Sequence, residues 1–142
     1  EVKGAKFGTP ICWENFFPDF FARFVRSGAN FMVSVTNEGF YGRNAAPHQT
    51  IAMNIFRAVE NRVPIARAAP TGVSAFINAN GKITEEVRDS KGENLFVPGF
   101  LIKDVALSSE KTFYTTYGDI FAYAMICIAV LITILSLCSH KS

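Results

Sequence analysis

The chain has no large excess of charge of either sign, and it contains only two histidines. Its 14 lysines and arginines against 12 aspartates and glutamates leave a net formal charge of +2, and the basic residues are scattered along the sequence. Such a balance argues against a nucleic-acid partner. His48 has no cysteine, aspartate or second histidine at ligand spacing, so the sequence predicts no metal site, and we expect no cofactor.

The chain also has few cysteines and no recognisable N-terminal start. The three cysteines, Cys12, Cys127 and Cys138, are not the even, spaced set of a disulfide framework. The first residues, EVKGAKFG, contain neither an initiator methionine nor the basic and apolar regions of a signal peptide. We therefore expect the chain to be part of a longer protein.

One long apolar run stands apart from the rest of the sequence. Residues 120–138 read IFAYAMICIAVLITILSLC and contain no charge, proline or glycine. A helix of this length covers about 28 Å, close to the hydrocarbon thickness of a bilayer. The run predicts a transmembrane helix at 119–139 with a short tail at 140–142, and a buried core helix is the alternative. Basic residues lie on both sides, so they do not decide the orientation.

Residues 1–118 alternate between extended and helical patterns, which is typical of a layered α/β domain. Apolar residues spaced three and four apart predict helices at about 18–28 and 47–62. Strand-length runs surround them: KFGTPIC, NFMVSVTN, PIARAA and the two arms of GVSAFINANGKITEEV. A tight turn at Asn80-Gly81, with positive φ at both residues, would join the arms. The predicted order is βαβαβββ, followed by an extended segment, LFVPGFLIKDVAL, and the apolar helix.

Cys12 lies where the first strand pattern gives way to the first helix. A corner of this kind projects a side chain over the sheet edge, as in the nucleophile elbow of hydrolases, and helix N–H dipoles favour a thiolate. A small buried core residue is the alternative, since free cysteines are among the most buried residue types. Position alone leaves both interpretations open.

The order of several sequence blocks resembles the apolipoprotein N-acyltransferase family, a bacterial membrane branch of the nitrilase (carbon-nitrogen hydrolase) superfamily. The blocks are ICWENFFP, GANFMVSVTNEGFYG, PHQTIAMNIFRAVENRVPIARAAPTGVSAFINANGKI and TFYTTYGD, followed by the apolar run. The resemblance implies an α/β fold: the C-terminal part of a nitrilase-like α/β sandwich, followed by one transmembrane helix. It also implies the bacterial cytoplasmic (inner) membrane, with the catalytic domain on the periplasmic side.

The resemblance further implies which residues carry the chemistry. The family uses a Glu-Lys-Cys triad whose cysteine stands in a Cys-aromatic-Glu motif, matched here by Cys12, Trp13 and Glu14. Cys12 is then the nucleophile, Glu14 an essential catalytic neighbour, and Trp13 part of the acyl site. The family's Glu and Lys lie well upstream of its cysteine, where this chain has only eleven residues. We therefore expect these 142 residues to be inactive alone.

Two loops depart from the family pattern. The family's T-N-D-A-W-F-G becomes TNEGFYG at 36–42, which keeps Asn37, Phe40 and Tyr41 as expected substrate-binding residues but changes the acid and the residue after it. The two aromatic residues are expected to contact an acyl chain or the membrane surface, or to pack in the ordinary way. The family's T-N-x-G becomes APTG at 69–72, where a proline removes a backbone donor.

Two arginines suggest ion pairs. Arg57 and Glu60 lie three apart in the second predicted helix, and we prefer an intrahelical pair to a catalytic Glu60. Arg67, in a predicted strand, is a better candidate for a buried ion pair than for phosphate binding.

The function implied by the resemblance is acyl transfer in two half-reactions. Cys12 takes a fatty acyl chain from a phospholipid as a thioester and passes it to the N-terminal amine of a diacylglyceryl-cysteine lipoprotein. The expected partners are the phospholipid donor, the lipoprotein acceptor and the membrane. The alternatives are a membrane-anchored nitrilase-type amidase or hydrolase, and a non-catalytic anchored binding module with Cys12 in its core.

Overall fold

The computed structural model describes residues 4–139; residues 1–3 and the predicted tail at 140–142 lie outside the described part. Its five strands form one sheet in the order β1-β2-β3-β4-β5, with β1, β2 and β3 parallel and β4 and β5 antiparallel. The strands are β1 Phe7–Gly8, β2 Phe31–Val35, β3 Ile65–Ala68, β4 Ala75–Ile77 and β5 Ile83–Glu86. The observed order confirms the predicted βαβαβββ arrangement and the α/β class.

Four α-helices accompany the sheet in the described residues. They are α1 Pro18–Arg26, α2 Ala46–Asn61, α3 Phe113–Tyr117 and α4 Ile120–Ser139, and 3-10 turns cover Cys12–Phe16 and Gly39–Tyr41. Both predicted helices are present. Proline stands in the first turn of α1 and of α2, where its missing N–H costs no hydrogen bond. Arg62, at a left-handed φ of 51°, ends α2 just before Pro64.

The core lies between α1, α2 and one face of the sheet. Alternate residues of each strand point to that face, as the pleat requires. Its members are apolar and almost fully buried: Phe21, Val25, Met32, Ile51, Ala58, Val63, Ile65, Val73, Ala75, Ile77 and Leu95. This packing fixes the carboxyl ends of β1, β2 and β3 relative to α2, and those ends carry the site described below.

The other face of the sheet lies against the predicted extended segment, which forms no strand in the structure. Residues 103–106 line a cleft of about 320 Å³ together with Phe76, and residues 99–101 line one of about 280 Å³ together with Ala66 and Phe76. Phe100 and Ile102 are largely exposed. The segment therefore covers the second face only in part.

The β4–β5 turn differs from the prediction. Gly81 has a φ of 79°, but Asn80 is not among the residues with positive φ, so the prediction of two such residues is wrong. The N–H of Asn78 instead donates to the Lys82 carbonyl at 2.9 Å and closes a three-residue loop. The Asn78 side chain accepts from the N–H groups of Asn80 and Lys82, which favours this wider turn.

Helix α3 was not predicted and joins the α/β layer to α4. Thr112 caps it by accepting the N–H of Thr115 at 2.9 Å. The buried Thr115 hydroxyl donates to Asn61 at the end of α2 at 2.9 Å, and its carbonyl accepts from Arg26 of α1 at 3.2 Å. The short helix is thereby tied to both core helices immediately before α4 begins.

Helix α4 corresponds to the apolar run. Its most apolar 18-residue window has a mean hydropathy of 2.7, and none of that window is buried against the rest of the chain. Cys127 and Cys138 on this helix are exposed. Within the residues that the structure describes, α4 is therefore not a core helix, and it is long and apolar enough to cross a membrane.

Candidate active site

Cys12 stands at a sharp corner between the sheet and α1. Ile11 still bridges Val35 of β2 in the parallel sense, and Cys12 begins the 3-10 turn that leads into α1. The Cys12 backbone adopts a φ of 53°. This left-handed conformation is costly for a residue with a Cβ, and such residues are concentrated at functional sites. The thiol is half-buried and lines a pocket.

Glu14 and Asn15 hold this corner from behind. The Glu14 carboxylate accepts the N–H of Ile11 at 2.7 Å, and the Glu14 N–H donates to the Ile11 carbonyl at 3.1 Å. The buried Asn15 amide donates to the Cys12 carbonyl at 3.2 Å and to the Ser34 hydroxyl at 2.9 Å. Glu14 is not among the residues that line the pocket, so its carboxylate acts on the backbone of the turn.

The pocket in front of Cys12 is small, with a volume of about 10 Å³, room for about one water molecule. Side chains from the Cys12 turn, the β2–α2 loop, α2 and β3 meet around it. The lining residues are Cys12, Trp13, Asn15, Phe16, Thr36, Asn37, Glu38, Phe40, Tyr41, Thr50, Asn54 and Arg67. The structure thus brings Trp13, Asn37, Phe40 and Tyr41 together with Cys12.

The mouth of the pocket is aromatic and exposed. Trp13 is 51% exposed and Phe40 69% exposed. The Phe40 ring lies 4.1 Å from the Tyr41 ring, centroid to centroid, and the Trp13 ring lies 4.6 Å from Phe16. Asn37 shapes the same loop by accepting the Gly39 N–H at 3.0 Å. An exposed apolar mouth suits a ligand with an apolar chain.

The inner wall of the pocket contains a buried ion pair. Glu38 is 1% exposed and Arg67 is 5% exposed, and one oxygen of Glu38 accepts from both Arg67 and the Thr50 hydroxyl. Arg67 also donates to the Val73 carbonyl at 3.0 Å. Burial lowers the pKa of Arg67 while the Glu38 charge opposes that shift, and a guanidinium remains protonated at neutral pH.

The preference for a buried Arg67 ion pair is therefore confirmed, but sequence reasoning missed its partner. This partner, Glu38, is 29 residues away along the chain. Sequence reasoning noted it only as the glutamate that replaces the family's aspartate in the loop at 36–42. A signal was present: a carboxylate directly after a buried strand, in a chain that also carries a strand arginine, favours pairing at the sheet edge.

Unpartnered polar atoms also surround the pocket. Within the described residues, Asn15 Oδ1, Glu38 Oε2 and Asn54 Nδ2 are buried and have no hydrogen-bond partner. All three residues line the pocket. Polar side chains with unpaired atoms in the wall of a small cavity suit a polar group of a ligand or a water molecule better than an apolar one.

Arg57 and Glu60 form the predicted intrahelical pair, with Arg57 Nη2 at 3.1 Å from Glu60 Oε1. Neither residue lines the Cys12 pocket. Burial raises the pKa of Glu60, Arg57 lowers it, and Asp119 raises it further. The Glu60 carbonyl accepts from the Thr112 hydroxyl at the start of α3, and these contacts support the structural interpretation over a catalytic Glu60.

Comparison with known proteins identifies the family. The model of the carbon-nitrogen hydrolase family matches residues 1–110. The chain belongs to the carbon-nitrogen hydrolase family. A crystal structure of a Nesterenkonia AN1 amidase from the nitrilase superfamily, in its C145A form, superposes with a TM-score of 0.51 at 20% identity. It covers 61% of this chain and 35% of the amidase chain, and it supports the carbon-nitrogen hydrolase fold alone.

Among curated carbon-nitrogen hydrolase relatives, two proteins named apolipoprotein N-acyltransferase are similar over almost the whole chain. One, from Geobacter metallireducens, is 38% identical over 131 residues, which is 92% of this chain and 24% of the relative. The other, apolipoprotein N-acyltransferase 1 of Treponema denticola, is 38% identical over 140 residues, which is 97% of this chain and 24% of the relative. The chain spans about a quarter of the length of these relatives.

Proposed function

We propose that this chain is the C-terminal part of an N-acyltransferase that moves a fatty acyl chain from a phospholipid to the N-terminal amine of a diacylglyceryl-cysteine lipoprotein. The observation that carries the proposal is the placement of Cys12: a half-buried thiol on a left-handed turn, in a pocket with an aromatic mouth. The names of the curated relatives support the choice of substrates. Residues 1–118 would form part of the catalytic domain and 119–139 its membrane helix.

In the first half-reaction, the Cys12 thiolate attacks the carbonyl carbon of the phospholipid ester. A C–S bond forms, the carbonyl becomes a tetrahedral oxyanion, and the C–O bond then breaks to release a lysophospholipid, whose oxygen takes up a proton. The Glu and Lys that the family resemblance implies would move the proton and stabilise the oxyanion. Both would lie upstream in the full-length protein, in a region that corresponds to the part of the relatives outside this chain.

In the second half-reaction, the lipoprotein amine attacks the thioester carbonyl. A C–N bond forms, the C–S bond breaks, the amine gives up a proton, and the Cys12 thiol is restored. One cysteine thus serves both steps, and the donor product must leave before the acceptor binds.

The residues that the sequence predicted for the site around Cys12 have proposed roles in this scheme. The rings of Trp13, Phe40 and Tyr41 offer an apolar wall for the acyl chain, and Asn37 shapes the loop that carries two of them. Glu14 holds the Cys12 turn through the Ile11 N–H instead of exchanging protons with the substrate. The exposed helix α4 would keep the site beside the lipid, in the inner membrane with the domain on the periplasmic side.

Steady-state kinetics of the full-length protein with a labelled phospholipid and a diacylated lipopeptide test the proposal. We expect ping-pong behaviour, with parallel lines in double-reciprocal plots, and label transferred to the lipopeptide amine. Label released only as free fatty acid would indicate a hydrolase instead. If no label leaves the phospholipid while a small amide is cleaved, the proposal is wrong and the amidase alternative stands.

A further inference from the structure

We propose that the buried Glu38–Arg67 ion pair is a positioning device for the β2–α2 loop, residues 36–42. It holds Phe40 and Tyr41 in place as the wall of an acyl-chain subsite beside Cys12. Glu38 and Arg67 are positioning residues, because they act through the loop and need no contact with substrate. The name acyl-chain subsite rests on the proposed function, whereas the positioning itself rests on the contacts below.

The first step of the argument is where Glu38 lies in the loop. Glu38 directly follows Asn37 and precedes the 3-10 turn Gly39–Tyr41, and its carbonyl accepts the Tyr41 N–H at 3.0 Å. The backbone that carries the ring pair Phe40–Tyr41 is therefore bonded to Glu38. A shift of Glu38 must move both rings.

The second step is what Glu38 is attached to. Its carboxylate reaches Arg67 on β3 and Thr50 on α2, two elements of the core. The Thr50 hydroxyl oxygen also lies 2.8 Å from the Pro47 carbonyl oxygen, and Arg67 donates to Thr50 at 3.1 Å. The other residues of the loop are exposed or half-buried, so the loop is fixed at its centre to the core elements below it.

The third step is how closely the Glu38 carboxylate fits its position, and what it would cost to leave it unpaired. A Cβ built on Gly72 would lie 1.8 Å from Glu38 Oε2, so the carboxylate occupies the space that any side chain at 72 would need. A charge buried this deeply is stable only when it is paired, and removing one partner leaves the other uncompensated. The loop therefore has one favoured position as long as both charges are present.

A purely stabilising ion pair would behave differently from a positioning one. Loss of a stabilising pair lowers the melting temperature and leaves the chemical selectivity at Cys12 unchanged. Loss of a positioning pair changes what the loop presents to a reagent that enters the pocket, and that change depends on Phe40.

Alkylation of Cys12 by two reagents that differ only in chain length separates these cases and requires no acyl transfer. Iodoacetamide and N-dodecyl iodoacetamide react with the full-length protein in detergent, and mass spectrometry of the Cys12 peptide gives both rate constants. The ratio of long-chain to short-chain rate constants measures the apolar wall. We expect Glu38→Gln to lower this ratio at least about fivefold, and Phe40→Ala to do so as well.

The double variant Glu38→Gln/Phe40→Ala should lower the ratio little further than either single variant, because both changes remove the same wall. Thr115→Val is the matched control: it breaks a buried hydrogen bond to Asn61 far from the pocket. It should lower the melting temperature, leave the ratio unchanged, and combine additively with Phe40→Ala.

An unchanged ratio in folded Glu38→Gln, or an additive double variant, would overturn the proposal. If Glu38→Gln does not fold, Arg67→Lys, which keeps the charge but loses the guanidinium contacts to the Val73 carbonyl and to Thr50, is measured with the same two outcomes. Failure of the proposed function gives a different result. If Cys12 of the wild type is never acylated but the alkylation ratios are as predicted, the acyltransferase proposal is wrong and the positioning role of the ion pair stands.

Discussion

At the scale of single residues, the backbone of Cys12 carries the most specific prediction. Its φ of 53° costs a residue with a Cβ about 1–2 kcal/mol, whereas glycine adopts the same conformation freely. We expect Cys12→Gly to be more stable than Cys12→Ala by about 1 kcal/mol, although both remove the thiol. Thermal denaturation of the two variants measures this difference, and an alanine variant at least as stable as the glycine variant would show that the turn is not strained.

Glu14 provides a second prediction at this scale. Its carboxylate accepts the Ile11 N–H, a contact that a glutamine oxygen can also make but an alanine cannot. We expect Glu14→Gln to keep most of the reactivity of Cys12, and Glu14→Ala to lose about 1 kcal/mol of stability together with most of that reactivity. The measurement is the rate of Cys12 alkylation alongside thermal denaturation. Equal losses in both variants would instead indicate that Glu14 needs its charge.

The position of a single residue in the fold could be predicted where it depends on the sequence immediately around that residue. The corner at Cys12 is predictable because a strand pattern stops and a helix pattern starts around it, whereas the roles of Trp13 and Glu14 are implied only by the resemblance of the Cys-aromatic-Glu motif to the family. Glu38 was missed because its partner Arg67 comes from another strand, 29 residues later. A contact between distant segments depends on the packing of the sheet, which no window of sequence contains.

At the scale of elements, α2 predicts how stability depends on pH. Burial raises the pKa of Glu60, and Arg57 opposes this shift without cancelling it. The folded state then binds the Glu60 proton more tightly than the unfolded state does, so this contribution to stability is fully present below the unfolded pKa. It is lost as the pH rises through the folded pKa.

We therefore expect the melting temperature of the wild type, minus that of Glu60→Gln, to fall as the pH rises from about 4 to about 7. Glu85→Gln, which removes an exposed carboxylate paired with Lys103 at 2.9 Å, controls for the loss of one acidic group. A difference that rises with pH would mean that the Arg57 ion pair, and not burial, controls Glu60.

The elements themselves differed in how far the sequence predicted them. Helices α1 and α2 were clear because their apolar residues repeat with helical spacing over several turns. The β4–β5 turn was assigned two positive φ values because Asn-Gly favours them, but the Asn78 side chain bonds the following backbone and selects a wider loop. Helix α3 has only five residues and depends on tertiary contacts with α1 and α2, so its own sequence could not show it.

At the scale of the whole molecule, the change from an alternating α/β pattern to one uninterrupted apolar run can be predicted from the sequence. In the structure this run is the exposed helix α4. A charged residue at the centre of a membrane helix costs about 2.5–3.5 kcal/mol on insertion scales. We expect Ile128→Lys with Leu131→Lys to shift the 142-residue chain from the membrane to the supernatant in alkaline carbonate extraction. Exchange of the same two residues, Ile128→Leu with Leu131→Ile, should leave it in the membrane; release of both variants alike would contradict a membrane role for α4.

The central claim, that the Cys12 corner presents a reactive thiol to a lipid ester, is tested most directly by locating an acyl adduct. The full-length protein is incubated with a phospholipid that carries a labelled acyl chain, without acceptor, and its peptides are sequenced by mass spectrometry. The account predicts a hydroxylamine-sensitive acyl group on Cys12 and none in Cys12→Ala. A protein that consumes the phospholipid while Cys12 stays unmodified, or that carries the label on Cys127 or Cys138 instead, would contradict it.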